Sequence, residues 1–402
     1  MAEARPHAVP FVLVTIFIDA IGFGLIMPVL PQLLMEIGRV PLDQAISFGA
    51  WSGFANAVAM FFAAPFLGNL SGRFGRRPIL LSALAALALD YLLLAVVNTI
   101  PLFFLARFIG ALFGGSYGPA QAAIADVTTP ETRARSFGLV SAAFGVGFIL
   151  GPAIGGLLGQ WGPRAPFYAA AALAGLNFLY GLTLFPETLP RERRRAFDWR
   201  RANPFGAWQA ARALPGIPAV LLVLTLWQIA SLVYPLTWSF WGIAQLGWDT
   251  KTIGASLAAV GLVIALSQTF LTGPLVKRLG ERNAASIGLV FAISGFIAYA
   301  FVQSTPLAFV IMACIALQGL VQPSLMAIMS RSATAETQGE VQGISAMAMG
   351  IGSITAPLLL TGTMAHFTGP HAPVHFPGAA FLVAALFGLG ALALLRRLPR
   401  LA

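Results

Sequence analysis

Gly68-Asn69-Leu70-Ser71-Gly72-Arg73-Phe74-Gly75-Arg76-Arg77-Pro78 and Gly273-Pro274-Leu275-Val276-Lys277-Arg278-Leu279-Gly280-Glu281-Arg282 carry one pattern written twice. Gly68, Leu70, Arg73, Gly75 and Arg77 recur as Gly273, Leu275, Arg278, Gly280 and Arg282, 205 positions later. The same offset carries Pro101 onto Pro306, Gly114 onto Gly319 and Glu131-Thr132 onto Glu336-Thr337. It also carries Gly138, Gly145, Gly147 and Pro152 onto Gly343, Gly350, Gly352 and Pro357. Chance produces scattered glycine matches in a glycine-rich chain, but not a series held in one register. The chain is therefore a duplicated half.

The composition says what each half is made of. Of 402 residues, 58% are hydrophobic and 9% charged, against roughly 25% charged in a soluble domain. A water-facing surface cannot be built from so few charges, which excludes a soluble globular protein. One helical span needs about 20 apolar residues. Twelve long apolar runs meet that need, at 9–37, 45–70, 78–97, 101–125, 135–160, 165–185, 217–245, 251–275, 283–303, 305–330, 338–366 and 376–396. Continuous runs of this length exclude a transmembrane β-barrel, whose strands alternate over about ten residues. The expected fold is all-α, with twelve transmembrane helices in two six-helix bundles, 1–186 and 217–402. They are joined by a basic linker, 187–216, rich in arginine. A lone cysteine, Cys314, excludes an internal disulfide, and the four histidines form no metal-ligand spacing. No cleavable signal peptide is expected, because Met1 to His7 runs into an apolar stretch without an A-x-A-like site.

Basic residues orient the spans. With the N-terminus inside, 20 of the 24 basic residues fall in cytoplasmic segments. Arg39, Arg164 and Lys251 fall outside, and Arg107 lies within a span. Both termini are therefore expected in the cytoplasm. The net charge of +10 reads as basic loops facing anionic lipid, not as a nucleic-acid surface.

Only Asp19, Asp90 and Arg107 place charge well inside spans. A charge at the bilayer centre costs at least about 2.5–3.5 kcal/mol, so such groups usually face a cavity and pair. Counted from the turn between spans three and four, Asp90 and Arg107 lie about 11–14 Å deep on neighbouring helices, at roughly 1.5 Å per residue. An Asp90–Arg107 pair is expected. Desolvation favours a protonated carboxylate and a nearby arginine favours an ionised one. Asp19, near the midplane, thus suits proton carriage, and Asp90 suits a structural or substrate role. The second bundle offers polar groups instead: Gln228, Ser231, Trp238, Gln268, Gln318 and Gln322. Gln318 and Gln322 stand four apart, and Gln228 and Ser231 three apart, on shared helix faces. Cavity lining and interhelical hydrogen bonding are equally open readings for them.

The stretch from Gly68 resembles the loop 2–3 signature of the major facilitator superfamily, G-x-L-a-D-R-x-G-R-R-x. Gly68, Gly72, Arg73, Arg76 and Arg77 occupy its positions. In that family the loop gates the cytoplasmic side, its arginines latching onto acidic groups or helix C-termini of the opposite bundle. The signature's acidic position is Gly72 here, a departure that should weaken the closed-inside state. Arg76 could instead reach Asp126. Gly147, Gly151 and Gly155 sit four apart around Pro152 and allow close helix approach. With their neighbours they resemble the span-five signature of drug antiporters, which implies export.

Phe17 to Pro31, Asp90-Tyr91, Arg107, Ile124 to Val127, Arg133 to Gly138, Ala165 to Ala171, Leu176 to Leu179, Pro186-Glu187, Thr252 to Gly254 and Leu271 to Leu275 are similar to the tetracycline:proton antiporters. The likeness departs where that family has a histidine in span eight and an aspartate in span nine; Ile264 and Ala292 stand there. Metal-chelated tetracycline is the less secure as substrate for it, and proton handling is left to the first bundle. The resemblance implies a proton-coupled antiporter exporting tetracycline-like or other lipophilic drugs by alternating access. It would be a monomer in a bacterial inner membrane, with no cofactor beyond the proton gradient. The substrate would be small, in one version a divalent-metal chelate. A sugar or organic-acid transporter and a non-transporting receptor are the rivals. No nucleotide loop or Ser/His/Asp set supports an enzyme.

Overall fold

The computed structural model describes residues 8–113, 117–199, 217–331 and 338–398. The end of the basic linker, with Arg200, Arg201 and Arg212, lies outside the described residues. Every regular element among the described residues is helical. The first half contains α1 (Ala8–Ile26), α2 (Leu30–Gly38), α3 (Leu42–Phe74), α4 (Arg76–Val96), α5 (Ile100–Phe113), α6 (Tyr117–Val127), α7 (Pro130–Leu158) and α8 (Ala165–Leu184). The second contains α9 (Ile217–Ser231), α10 (Val233–Leu246), α11 (Thr250–Leu266), α12 (Gly273–Leu279), α13 (Glu281–Phe301), α14 (Thr305–Cys314), α15 (Val321–Arg331), α16 (Gln338–Ala356), α17 (Gly362–Thr368) and α18 (Ala379–Arg397). Among the described residues eleven helical runs are long and apolar enough to cross a membrane, or twelve if the bent pair around Cys314 is one span.

Several runs that read as single spans are interrupted, and a proline lies in or beside most of the interruptions. Proline has no N–H to give to the carbonyl four residues back, and its ring crowds that carbonyl. The first run breaks at 27–29 around Pro28. The seventh pauses at Leu232, with Pro235 in the first turn of α10. The eighth loosens into a π-helical stretch, Ser267–Thr272, ahead of Pro274, and the eleventh into another, Pro357–Thr361. The tenth turns by 41° at Ile315 and continues as a 3-10 stretch, Ala316–Leu320, before Pro323. The Ser267 hydroxyl donates to the Ala316 carbonyl at 2.8 Å. The irregular stretch of one span thereby satisfies a backbone acceptor at the break in another, as hydrocarbon surroundings demand.

The duplication is visible in the backbone. Gly75 and Gly280 both adopt positive φ, +106° and +76°, one residue before α4 and α13. Arg77 donates from Nη2 to the Leu182 carbonyl near the end of α8, at 2.8 Å. Its repeat mate Arg282 donates to the Arg396 carbonyl near the end of α18, at 2.6 Å. Each arginine neutralises the negative end of the last helix of its own half.

Residues cluster into two compact units. One gathers 8–39, 58–199 and 249–261, and the other 40–57, 217–248 and 262–398. Residues 40–57 and 249–261 thus each group with the unit that holds most of the other half. Small residues let α11 do this. A Cβ on Gly156 of α7 would come within 2.6 Å of the Thr250 carbonyl oxygen and 2.9 Å of the Gly254 Cα. Asp249 caps α11 by accepting the Thr252 N–H at 2.8 Å. Hydrogen bonds from Thr252 hold its carboxyl below the usual carboxylate range.

Candidate functional site

The site in the first unit is built on α1, α4, α5 and α7. The spacing of Gly147, Gly151 and Gly155 puts a bare stripe on α7, and α1 lies along it. A Cβ on Gly147 would meet the Phe17 carbonyl oxygen at 2.6 Å, and one on Gly151 the Ile21 carbonyl oxygen at 2.7 Å. On Gly155 it would overlap the Leu25 carbonyl. The opposite side of α1 is pinned by the buried Thr15 hydroxyl, which donates to Asn177 Oδ1 of α8 at 3.2 Å. Asp19 is half-buried on the helix so held.

Asp90 and Arg107 come together as their depths predict. Arg107 donates from Nη1 to Asp90 Oδ2 at 3.3 Å. Asp90 is 4% exposed, and its Oδ1 has no hydrogen-bond partner among the described residues. A residue outside the sequence-derived set makes the pairing possible. A Cβ on Gly110 would stand 2.5 Å from Asp90 Cγ, so the carboxylate rests on bare backbone of α5. The signal was present, since Gly110 lies one turn beyond Arg107 on the same face. Tyr91 was also missed as a site residue. It is buried, and its ring ends against α1 at Gly22.

The gating candidates form a second constellation in the same unit. Arg76 binds Asp126 (Nε to Oδ2, 2.9 Å) and donates to the Ser71 hydroxyl at 2.7 Å. Its backbone N–H donates to Glu187 Oε1 at 2.8 Å, and Glu187 also pairs with Arg194 at 3.5 Å. The Glu187 carboxylate occupies the space over Gly75 that a side chain there would need. The Arg195 N–H then donates to the Gly72 carbonyl at 3.0 Å. In this conformation Arg76 and Arg77 make these bonds inside their own unit, where Asp126, Glu187 and the end of α8 are within reach. Arg73 is exposed, with its guanidinium 5.1 Å from the centre of the Phe74 ring. Gly68 and Gly72 have open space where a side chain would start.

The second unit sorts its polar candidates differently. Trp238 is corrected from cavity wall to core: it is 1% exposed among Trp241, Trp248, Tyr299 and Phe381, at ring separations of 5.0–6.4 Å. Gln228 donates to the Ser353 hydroxyl at 3.4 Å, and the Ser231 hydroxyl donates to the Gln228 carbonyl at 3.1 Å. Tyr234 donates to Gln318 Oε1 at 3.3 Å, and Gln322 to Met349 Sδ at 3.4 Å. The shared α-helical face of Gln318 and Gln322 is corrected too, since Gln318 lies in the 3-10 stretch and Gln322 in α15. Gln268 is exposed within the π-helical stretch. A separate cavity of about 470 Å³ is lined by Asp43, Ser47, Trp51, Leu358 and His366, among others. Among the described residues no three acidic, histidine or cysteine side chains gather as a metal site.

Helical spans, a duplicated six-helix plan and buried charge within one bundle define a membrane transporter of small molecules, not an enzyme. Residues 12–357 and 237–401 match the Major Facilitator Superfamily. The chain belongs to that superfamily. It is 38% identical over 391 residues to the class C tetracycline resistance protein of Escherichia coli, covering 97% of each chain. It is 36% identical to the class G tetracycline resistance protein of Vibrio anguillarum, covering 96% of each. A crystal structure of the nucleoside transporter NupG superposes with TM-score 0.80 at 16% identity, over 97% of this chain and 99% of that one. That likeness speaks for the fold.

Proposed function

We propose that this transporter exports tetracycline-like or other lipophilic drugs in exchange for protons, by alternating access. The observation that carries the reading is the placement of two carboxylates, Asp19 and Asp90, with Arg107 on membrane-spanning helices of one unit. Intramembrane ionisable groups mark ion pathways and proton relays. Asp19 would carry the proton. The Asp90–Arg107 pair would take part in coupling and in contact with substrate; in the second unit, taken by itself, Gln228, Gln318 and Gln322 are the polar candidates. Arg76, Arg77 and Asp126 would steady the cytoplasmic loop that gates access. The names of the relatives support tetracycline as the first drug to test. Ile264 and Ala292 supply no metal ligand or carboxylate in the second unit, so a drug set wider than the metal chelate fits the chain. The proton gradient would be the energy source, with no cofactor. The basic-residue bias supports both termini in the cytoplasm, the bacterial relatives support an inner membrane, and the protein would act as a monomer.

The test is uptake of labelled tetracycline and of a cationic dye by inverted vesicles, with and without an imposed pH gradient. Gradient-driven uptake that Asp19→Asn abolishes, at unchanged folded yield, is expected. Wild-type rates in that variant would remove Asp19 from the mechanism. Uptake of a sugar or organic acid in place of either drug would favour the rival transporter, and binding without flux a receptor.

A further inference from the structure

The proposed mechanism leaves one buried polar group unused, the phenol of Tyr91. Its position is fixed by a glycine. A Cβ built on Gly22 would lie 3.1 Å from Tyr91 Cε2 and 3.2 Å from the Tyr91 hydroxyl oxygen. The phenol of α4 therefore reaches across and ends against the backbone of α1. Gly22 lies three residues beyond Asp19, on the same helix face, where Cβ positions are about 5–6 Å apart. At its other end Tyr91 adjoins Asp90, which holds Arg107. The phenol therefore meets α1 one turn beyond Asp19 and belongs to the helix that carries Asp90.

We propose that Tyr91 is a positioning residue for proton exchange, its hydroxyl linking Asp19 to the Asp90–Arg107 pair and setting the pH at which Asp19 yields its proton. The inference rests on the antiport reading and names a further part of that site. A hydroxyl that donates to an ionised carboxylate favours the ionised form. Taking the donor away lets the carboxylate keep its proton to higher pH. The other charged or titratable groups on the elements packed against α1 and α4 sit elsewhere. Asp126 of α6 is held by Arg76. Glu131, Arg133 and Arg135 stand in the first two turns of α7, and beyond them α7 has no titratable residue. Tyr168 is exposed near the start of α8, and Tyr180 packs on Phe11, two turns before Asp19.

The experiment is drug–proton exchange by reconstituted protein across a range of pH, with tetracycline as the probe, for wild type, Tyr91→Phe and Gly22→Ala. Tyr91→Phe keeps the ring and loses only the hydroxyl. Gly22→Ala keeps the hydroxyl and crowds it off its seat. Both variants are expected to fold and to bind drug, with the midpoint of the pH–rate profile moved up by about half to one pH unit. Profiles that coincide with wild type in both variants would overturn the proposal. So would a profile moved by Gly22→Ala alone, since the hydroxyl would then be irrelevant. A wild-type flux indifferent to pH would overturn the antiport reading and this proposal together, an outcome recognisable before any variant is made.

Discussion

Asp90 and Arg107 pose the sharpest question at the scale of single residues, because a buried ion pair is weak proof of stability and strong proof of mutual dependence. Breaking a buried pair by removing one partner costs about 3–5 kcal/mol. The figure here should fall toward the low end, because the Arg107 side chain is 22% exposed. Removing both partners forfeits their attraction but leaves no uncompensated charge. A double-mutant cycle on Asp90→Asn and Arg107→Gln, scored for folded yield and for drug export, separates a helix lock from a working part. Yield should drop in each single variant and recover in the double variant, while export stays lost in all three. Recovery of export along with yield would reduce the pair to packing. Gly110 offers an independent check. Its alanine variant pushes directly on the Asp90 carboxylate, and should lower export without removing any charge.

At the scale of the helix, the contact between α1 and α7 tests how a glycine acts. Gly151 and Gly145 lie on the same helix, yet a Cβ on Gly151 would crowd the Ile21 carbonyl, and one on Gly145 meets nothing within 4 Å. Helix propensity alone favours alanine over glycine by about 1 kcal/mol. Gly145→Ala should therefore be neutral or slightly stabilising in thermal unfolding. Gly151→Ala should destabilise by about 1–3 kcal/mol, the usual cost of overpacking. Equal melting temperatures for the two variants would show that the stripe does not set the helix separation. The spacing of Gly147, Gly151 and Gly155 made a close approach legible in the sequence. Which helix would fill the stripe was not, since any neighbour satisfies the same pattern. Prolines show a similar limit. Pro65 and Pro152 remain inside continuous helices, while Pro28, Pro235 and Pro357 coincide with breaks. A proline states that one carbonyl will be freed; whether the helix parts depends on what tertiary neighbour takes that carbonyl. Trp238 escaped the sequence for the converse reason. An indole at mid-span suits a cavity wall or a core, and only the rings of Trp241, Tyr299 and Phe381 around it decide.

The whole molecule repeats itself down to one ion pair, but with the charges exchanged. Arg76 of α4 binds Asp126 of α6, and 205 positions on Glu281 of α13 binds Arg331 of α15 at 2.6 Å. Duplication preserved the location of the link and not its polarity. Two charges at these positions then matter as a neutral pair, tying the start of the third span of each half to the end of the fourth. This yields a prediction that a chance surface contact would not. Glu281→Arg alone sets like charges against each other, as does Arg331→Glu alone. Each should lower folded yield or the rate of drug export by an amount near 1 kcal/mol, modest because Arg331 is largely exposed. The double reversal reproduces the polarity of the first half and should restore both readouts. High salt should shrink the single-variant defects, since screening acts on exposed charges. If the single variants match wild type at low salt, the second pair is incidental. If the double variant stays as poor as the singles, the polarity is itself required, and the two halves have diverged in how they hold the loop.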